Sequence, residues 1–385
     1  MVAPMNLEQR NLDELRNEID QTDREILKQF ARRMELVEQV AAYKMANNLP
    51  VYQPKREEAL LDRVGELAGE RLRIPAQMLF TALMDISKSS QHRAIGGEIA
   101  AMLERAAQNI APLPEGARVA CQGVKGAYSY AAAARLLPLP QRVCYERFDD
   151  VFAAVKSGEC EYGVLPIENS SAGSVTQVYD LLTDGGLYII KAYDLPITHC
   201  LMGVKGASLG GVKRVYSHPQ ALSQCSGFFA THREIEAVPC SNTAAAAKAV
   251  AEEGDMSAAA LANEECAALY GLDILNTDVQ NERNNITRFI LLSSAPAAYE
   301  EADRIALIFR VAHRPGSLHR FISRFAALGL NVTKIESRPI PQKPFEFQFF
   351  FEFNGNTRSE EVRALLQSLS DESESFRFVG NYSVG

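Results

Sequence analysis

From about Asn6 to Lys44 the chain contains neither proline nor glycine, and apolar side chains recur at Leu12, Leu15, Ile19, Ile26, Phe30, Met34, Val37, Val40 and Ala41. That three-and-four spacing specifies one amphipathic helix. At about 1.5 Å per residue it runs well over 50 Å, longer than a small domain is wide. The rest of a roughly 100-residue segment offers too little surface to cover such a stripe, so a second copy of the chain is the expected partner.

Three cations punctuate this helix. Arg33 shares a face with Ile26, Phe30 and Val37, Lys44 follows three turns later at nearly the same angle, and Arg16 points about 100° away. Cations on an apolar face are costly unless an anion meets them, although on a single helix they usually snorkel to the surface. After Asn47-Asn48-Leu49-Pro50 a second helix is expected from about Pro54 to Ala68, opened by Gln53-Pro54-Lys55-Arg56-Glu57-Glu58. A third should run from about Pro75 to Ala107 and stack Ser87 and Gln91 on one face.

Long helix, short helix, long helix, with Arg16, Arg33, Lys44, Arg56, Glu57, Ser87 and Gln91 so spaced, resembles the all-helical chorismate mutase family. The resemblance implies two intertwined chains, each active site taking one arginine from the other chain, and the angular offset of Arg16 agrees with that. Gln53 stands where many members carry Asp. Chorismate has two carboxylates and rearranges by a pericyclic step that needs no nucleophile or cofactor. Catalysis then means holding the reactive conformer and stabilising charge on the breaking ether oxygen. The guanidinium forks of Arg16 and Arg33 suit the carboxylates. By resemblance Lys44 and Gln91 donate to the ether oxygen. Arg56, Glu57 and Ser87 position the ring and its hydroxyl, with Glu57 protonated or hydrogen-bonded.

Asn109 to Ala117, with Pro112, Pro114 and Gly116, reads as a linker. From Arg118 strands and helices alternate. An apolar run ends at Pro166 and opens into Glu168, Asn169, Ser170, Ser171 and Ser174; far downstream Asn284-Asn285-Ile286-Thr287-Arg288-Phe289 enters a second apolar strand. Strands opening abruptly into polar groups are how α/β sheets present ligand sites, and the excursion and return between the two segments suggests two lobes around a cleft. Together with Ser217-His218-Pro219-Gln220 and Gln224, these segments resemble prephenate dehydratase. The loop Gly126-Ala127-Tyr128-Ser129 departs from that family's more usual Gly-Thr-Phe-Ser. The resemblance implies Thr287 as the main catalytic group, with Asn169, Ser217 and Gln224 as further site residues. Glu168, Ser174, His218 and Arg288 complete the candidate set, with a proton relay from Glu168 or His218 conceivable. A threonine hydroxyl is a poor acid, so Thr287 reads as a hydrogen-bond donor to the departing oxygen. His218 reads equally well as a residue that simply starts a helix before Pro219.

After a second linker, Ser293 to Asp303, the order strand, helix, strand, strand, helix, strand up to Tyr382 is ferredoxin-like. Phe345, Phe347, Phe349, Phe351 and Phe353 alternate as a core face should. The segments His313-Arg314-Pro315-Gly316-Ser317-Leu318 and Asn331 to Pro339 resemble the ACT regulatory domain of Phe-inhibited dehydratases. The resemblance implies L-Phe bound between two ACT domains around Gly316, Ser317, Leu318, Asn331, Glu336, Ser337 and Arg338. Gly316 lets a ligand approach the backbone, and the following helix offers N–H groups to a carboxylate.

The expected architecture is therefore multidomain: an all-α mutase domain at 6–108, a two-lobed, periplasmic-binding-protein-like α/β domain at 117–293 (second lobe about 195–268), and an α+β ACT domain at 303–385. Three blocks in this order resemble the bifunctional chorismate mutase/prephenate dehydratase family of phenylalanine biosynthesis. A dehydratase accepting arogenate and a non-catalytic amino-acid sensor are the alternatives. A net charge of −8 argues against nucleic acid or an anionic membrane as partner. No segment reads as a signal peptide or membrane span, and no phosphate loop or dinucleotide fingerprint is present, so no cofactor or metal is expected. The seven cysteines are scattered, which fits reduced thiols in the cytoplasm. Thr287→Ala is expected to lower dehydratase turnover at least about 100-fold while chorismate consumption stays intact. Retained phenylpyruvate formation by that variant would reject the assignment of Thr287.

Overall fold

The computed structural model describes residues 11–108, 112–282, 284–313, 316–340, 343 and 345–385. The first residues of the long helix (6–10), linker residues 109–111, and Arg314 and Pro315 of the proposed ligand loop lie outside them. The chain divides into two compact units, Met1–Met102 with Ser359–Glu372, and Leu103–Arg358 with Ser373–Gly385.

In the first unit α1 spans Leu12–Ala46. Asn11 caps it through Asp13 N–H, while the Glu14 carboxylate returns to the Asn11 N–H, a reciprocal capping box. Val37 and Ala41 are buried and Phe30 and Met34 half-buried, but Leu12, Ile19 and Ile26 remain more than half exposed. Among the described residues little covers the N-terminal half of the stripe, where Leu15 alone is half-buried. α2 spans Pro54–Ile95 and is kinked where Gly69 takes φ 69°. That kink, rather than a gap, separates the two expected helices. The expected run to Ala107 is broken earlier, by Gly96 at φ 73°, and α3 restarts as Glu98–Gln108. The Gln367 carboxamide, on α12 (Glu360–Glu372), accepts from Ile99 N–H and Ala100 N–H at 3.0 and 3.2 Å, capping α3. A Cβ on Gly97 would stand 2.2 Å from the Gln367 carboxamide carbon, so a larger residue would push this capping group aside.

The second unit holds two sheets. Among the described residues the larger has ten strands in the order β13-β14-β12-β15-β5-β11-β3-β1-β2, with β4 (Gly173–Ser174) beside β3. Its dehydratase-like part comprises β1 (Arg118–Gln122), β2 (Gln141–Tyr145), β3 (Tyr162–Asn169), β5 (Tyr188–Pro196) and β11 (Ile286–Ser293). The ACT-like part comprises β12 (Arg304–Arg310), β13 (Val332–Pro339), β14 (Phe347–Asn354) and β15 (Ser375–Tyr382), with α11 (Ser317–Ala327). β15 runs parallel to β5, and a Cβ on Gly380 would meet Ile189 O at 2.1 Å. The two parts share one core, in which Leu165, Ile189 and Ile290 join Ile308, Phe350 and Val379. Ala298 and Ala302 are buried, so the stretch read as a second linker is packed.

The smaller sheet, in the order β10-β6-β9-β7-β8, is the second lobe. It comprises β6 (Cys200–Gly203), β7 (Arg214–Ser217), β8 (Glu236–Pro239), β9 (Ala258–Ala262) and β10 (Asp273–Asn276), so the lobe extends past the expected residue 268. The phenylalanine alternation holds only in part. Phe351 and Phe353 are fully buried, but Phe345 sits before the strand at φ 64° and is 85% exposed, and Phe347 is exposed at the strand start.

Gly97→Ala is expected to destabilise the first unit by about 1–3 kcal/mol, since it overpacks a closed contact. Urea titration followed by helical circular dichroism measures this; an unchanged midpoint would remove the argument.

Candidate active site

In the helical unit α1 and α2 bring most of the expected mutase residues together. Arg33 donates to Leu83 O at 3.0 Å and to Ser87 Oγ, and Gln91 Nε2 donates to Ser87 O at 3.3 Å. Gln91 is buried and its Oε1 has no partner, an acceptor left for a ligand or water. Lys44 is buried and donates to Val51 O at 2.8 Å. Burial pulls its ammonium below the ordinary lysine range; Glu57 opposes that shift and Arg56 adds to it. Burial likewise lowers Arg33. Gln53 is half-buried at the start of α2, where its carbonyl accepts from Arg56 N–H and Glu57 N–H. Arg56 is exposed. Arg16 stands apart near the start of α1, two-thirds exposed and paired with Asp13.

The sequence reading passed over Lys88. Its side chain is 4% exposed and lies 3.0–3.1 Å from the carboxylates of Glu57, Asp85 and Glu372, with its ammonium 5.3 Å from the Tyr52 ring centre. Glu57 is therefore held as an acceptor by a neighbouring cation. The one available hint was the Asp85-x-x-Lys88 helical spacing beside Ser87.

In the second unit a cavity of about 300 Å³ opens at the ends of β3 and β11. Thr287 lies directly opposite Asn169 in the β3–β11 ladder, just ahead of a bulge after Arg288. Asn169 Oδ1 accepts the N–H groups of Ser171 and Ala172 at 3.0 and 2.8 Å, which identifies it as the oxygen. Asn169 Nδ2 consequently donates, to Thr287 Oγ1 at 2.9 Å and to Asn285 Oδ1 at 2.7 Å. The Thr287 oxygen is thus occupied as an acceptor, and its O–H remains free to donate. Asn169, His218, Gln224 and Thr287 all line the cavity, with Tyr128, Ser129, His199, Asn242, Thr243 and Asn285.

Four expected residues lie outside this lining. Glu168 and Ser174 meet β13: Lys334 Nζ donates to Glu168 at 2.7 Å and to Ser174 Oγ at 3.0 Å, and Ser174 Oγ donates to Glu336. Arg288 makes a two-pronged pair with Asp194 at 2.8 and 2.9 Å. Strand alternation explains both, since residues 168 and 288 face away from neighbours 169 and 287. Ser217 is fully buried and donates to Leu261 O. His218 does start a helix, α7 (Pro219–Gln224), where its Nδ1 accepts from Gln220 N–H; burial holds its imidazole below the usual range.

No Lys, Arg, Asp or Glu is among the described residues lining the cavity. Positive potential comes instead from helix starts. α4 (Tyr128–Leu136) begins there with no side-chain cap, and α9 (Thr243–Glu253) begins there behind Asn242.

A second cavity, about 520 Å³, is lined by Ser317, Leu318, Arg310, His313, Phe347 and Glu374, among others. Gly316, at φ 82°, starts α11 at its edge. The other expected ligand residues are placed elsewhere. Asn331 pairs with Asn354, Glu336 with Ser174, Arg338 with Asp180, and Ser337 is exposed on β13, at one end of the sheet order. Among the described residues no cluster of three metal-binding side chains occurs, and no helix is long and apolar enough to cross a membrane.

Family models match in three blocks: chorismate mutase type II over residues 15–92, prephenate dehydratase over 119–297, and the ACT domain over 305–371. The bifunctional chorismate mutase/prephenate dehydratase of Enterobacter agglomerans is 33% identical over 379 residues, covering 96% of this chain and 95% of its own. The chain belongs to that bifunctional family. It accordingly carries both activities, rearranging chorismate and dehydrating prephenate. Arogenate dehydratase/prephenate dehydratase 2 of Arabidopsis thaliana is 36% identical, covering 69% of this chain and 73% of its own. The solved prephenate dehydratase of Arthrobacter aurescens, in complex with L-Phe, is 30% identical with a TM-score of 0.64, covering 69% of this chain and 90% of its own.

The lowered Lys44 sets a sign for pH dependence. Mutase kcat/KM should hold while Lys44 keeps its proton and fall as pH rises through a value below the ordinary 10.5. Lys44→Arg should push that alkaline limb upward, because a guanidinium stays charged past pH ~12. Following chorismate absorbance across alkaline pH checks both; superimposable limbs would exclude Lys44 as the titrating group.

Proposed function

We propose that the two reactions run at two separate sites that grip anions by opposite means. In the mutase site Arg33, with Arg16 of the partner subunit, holds the carboxylates of chorismate, and Lys44 and Gln91 donate to the ether oxygen. Ser87, Arg56, Glu57 and Gln53 position the ring. The uncovered stripe of Leu12, Ile19 and Ile26 supports a homodimer built through α1.

In the dehydratase cavity the carboxylates of prephenate dock at the starts of α4 and α9. The free Thr287 O–H donates to the departing ring hydroxyl while the ring carboxylate leaves as CO2. Aromatisation to phenylpyruvate drives the step downhill, and the developing charge on oxygen is met by neutral donors already in place. The observation that carries this reading is the Asn169–Thr287 hydrogen bond, whose direction leaves the threonine proton available. His218, Gln224 and Asn169 line the same space, while Glu168, Ser174, Ser217 and Arg288 support it from behind.

L-Phe is the proposed inhibitor, bound at the ACT-like block with Gly316, Ser317 and Leu318 at the α11 start. Asn331, just ahead of β13, and Ser337 on it lie on the side that a second ACT domain would meet, while Glu336 and Arg338 reach Ser174 and Asp180 of their own chain. Inhibition is then a coupling free energy between this block and the dehydratase cavity. The domain limits proposed are 6–108, 117–293 and 303–385, and the free thiols support a cytoplasmic setting. An arogenate-accepting dehydratase is a second reading, favoured by the Arabidopsis relative's name; competition between prephenate and arogenate in one reaction decides it.

Supplying chorismate and following its loss and then phenylpyruvate, with and without L-Phe, tests the whole scheme. Calorimetry should show L-Phe binding at least about tenfold more tightly than L-Ala, the difference that burying a benzyl group brings. Equal affinities would sink the regulatory assignment.

A further inference from the structure

His199 precedes β6, is 2% exposed and belongs to none of the motifs read from the sequence. It lies at the end of a directional hydrogen-bond chain. The direction is set at Asn169, whose oxygen is fixed by two backbone N–H groups. Asn169 Nδ2 donates to Asn285 Oδ1, so the other arm of Asn285 is its NH2, and this donates to Gln224 Oε1 at 3.1 Å. Gln224 Oε1 also lies 3.2 Å from His199 Nε2. Two acceptors cannot share that contact, so Nε2 must carry the proton. The far nitrogen, Nδ1, is 3.0 Å from the Tyr128 hydroxyl, which also reaches Thr198 O at 2.6 Å. A neutral ring protonated at Nε2 accepts there, so the single phenol proton serves either the ring or the carbonyl. Burial holds the imidazole below its usual range, which favours the neutral ring.

One consequence concerns the ligand. With its oxygen engaged from two sides, Gln224 keeps an NH2 that has no partner among the described residues, on a side chain lining the cavity. In a lining without Lys or Arg, a fixed amide donor is a substantial part of what an anion can find.

We propose that His199, supported by Tyr128, is a positioning residue for the dehydratase reaction: its Nε2–H locks the Gln224 carboxamide so that the NH2 faces prephenate. The assignment rests on the cavity being the prephenate site, and that reading fails separately, if Thr287→Ala retains dehydratase turnover.

The test uses the full-length chain. His199→Leu should lower dehydratase kcat/KM roughly 10- to 100-fold, the worth of one hydrogen bond to a charged group. His199→Gln, which offers a neutral N–H near the same place, should recover to within about fivefold of the parent. Because His199 acts through Gln224, the double variant His199→Leu/Gln224→Leu should lose no more than Gln224→Leu alone. Independent of any variant's folding, ¹⁵N NMR of histidine-labelled parent protein should show the neutral Nε2–H tautomer for His199. Additive losses in the double variant, or an Nδ1–H tautomer, would overturn the proposal.

Discussion

The hydrogen bond from Asn169 to Thr287 is the contact on which the dehydratase half turns. It spans two antiparallel strands more than a hundred residues apart in sequence, and the β3–β11 register sets it. Its value lies in polarity rather than strength. Two backbone N–H groups decide which end of the Asn169 side chain is oxygen, and every later donor and acceptor follows. A slip of one residue in that register would turn Asn169 and Thr287 to opposite faces and set a charged neighbour, Glu168 or Arg288, beside whichever of them stayed, a buried-charge problem instead of a donor array.

The two sites answer the same electrostatic question differently. The helical unit keeps Arg33 and Lys44 partly or wholly buried, where each is pulled toward its neutral form by lost hydration. It tolerates them through neighbours: backbone carbonyls at 3.0 and 2.8 Å, and the carboxylates around Lys88. The α/β unit keeps its fixed charges out of the cavity, pairing Arg288 with Asp194 and Lys334 with Glu168, and lines it with amides, a hydroxyl and helix starts. A pericyclic step benefits from strong fixed cations beside one oxygen. Expulsion of hydroxide with CO2 benefits from donors that do not trap the product.

Periodicity and turn chemistry made the large elements legible: α1, the alternating α/β region and the ferredoxin-like order all lie close to where the spacing puts them. Of the residues named from motifs, Asn169, Gln224 and Thr287 line one cavity. What could not be read was direction. Glu168 and Ser174 sit in the same polar cluster as Asn169, and only strand alternation and β13 decide that they turn away. Breaks set by tertiary fit were also hidden. Gly97 leaves room for the Gln367 carboxamide, some 270 residues later. Phe345 shares the alternation of its neighbours but falls in the turn before the strand. His199 gave no signal because an isolated histidine before an apolar strand is ordinary, and its side-chain partners, Tyr128 and Gln224, come from two distant segments.

The seam where Gly380 lies against Ile189 has a consequence for how the gene could be shortened. Strand β15 covers an edge of β5 that would otherwise present unpaired backbone groups beside Ile189. A chain ending before residue 303 would lose that cover. It would carry a sticky, unprotected border, open to self-association along β5. Relief from feedback is therefore more safely sought by altering side chains in the terminal block than by deleting it.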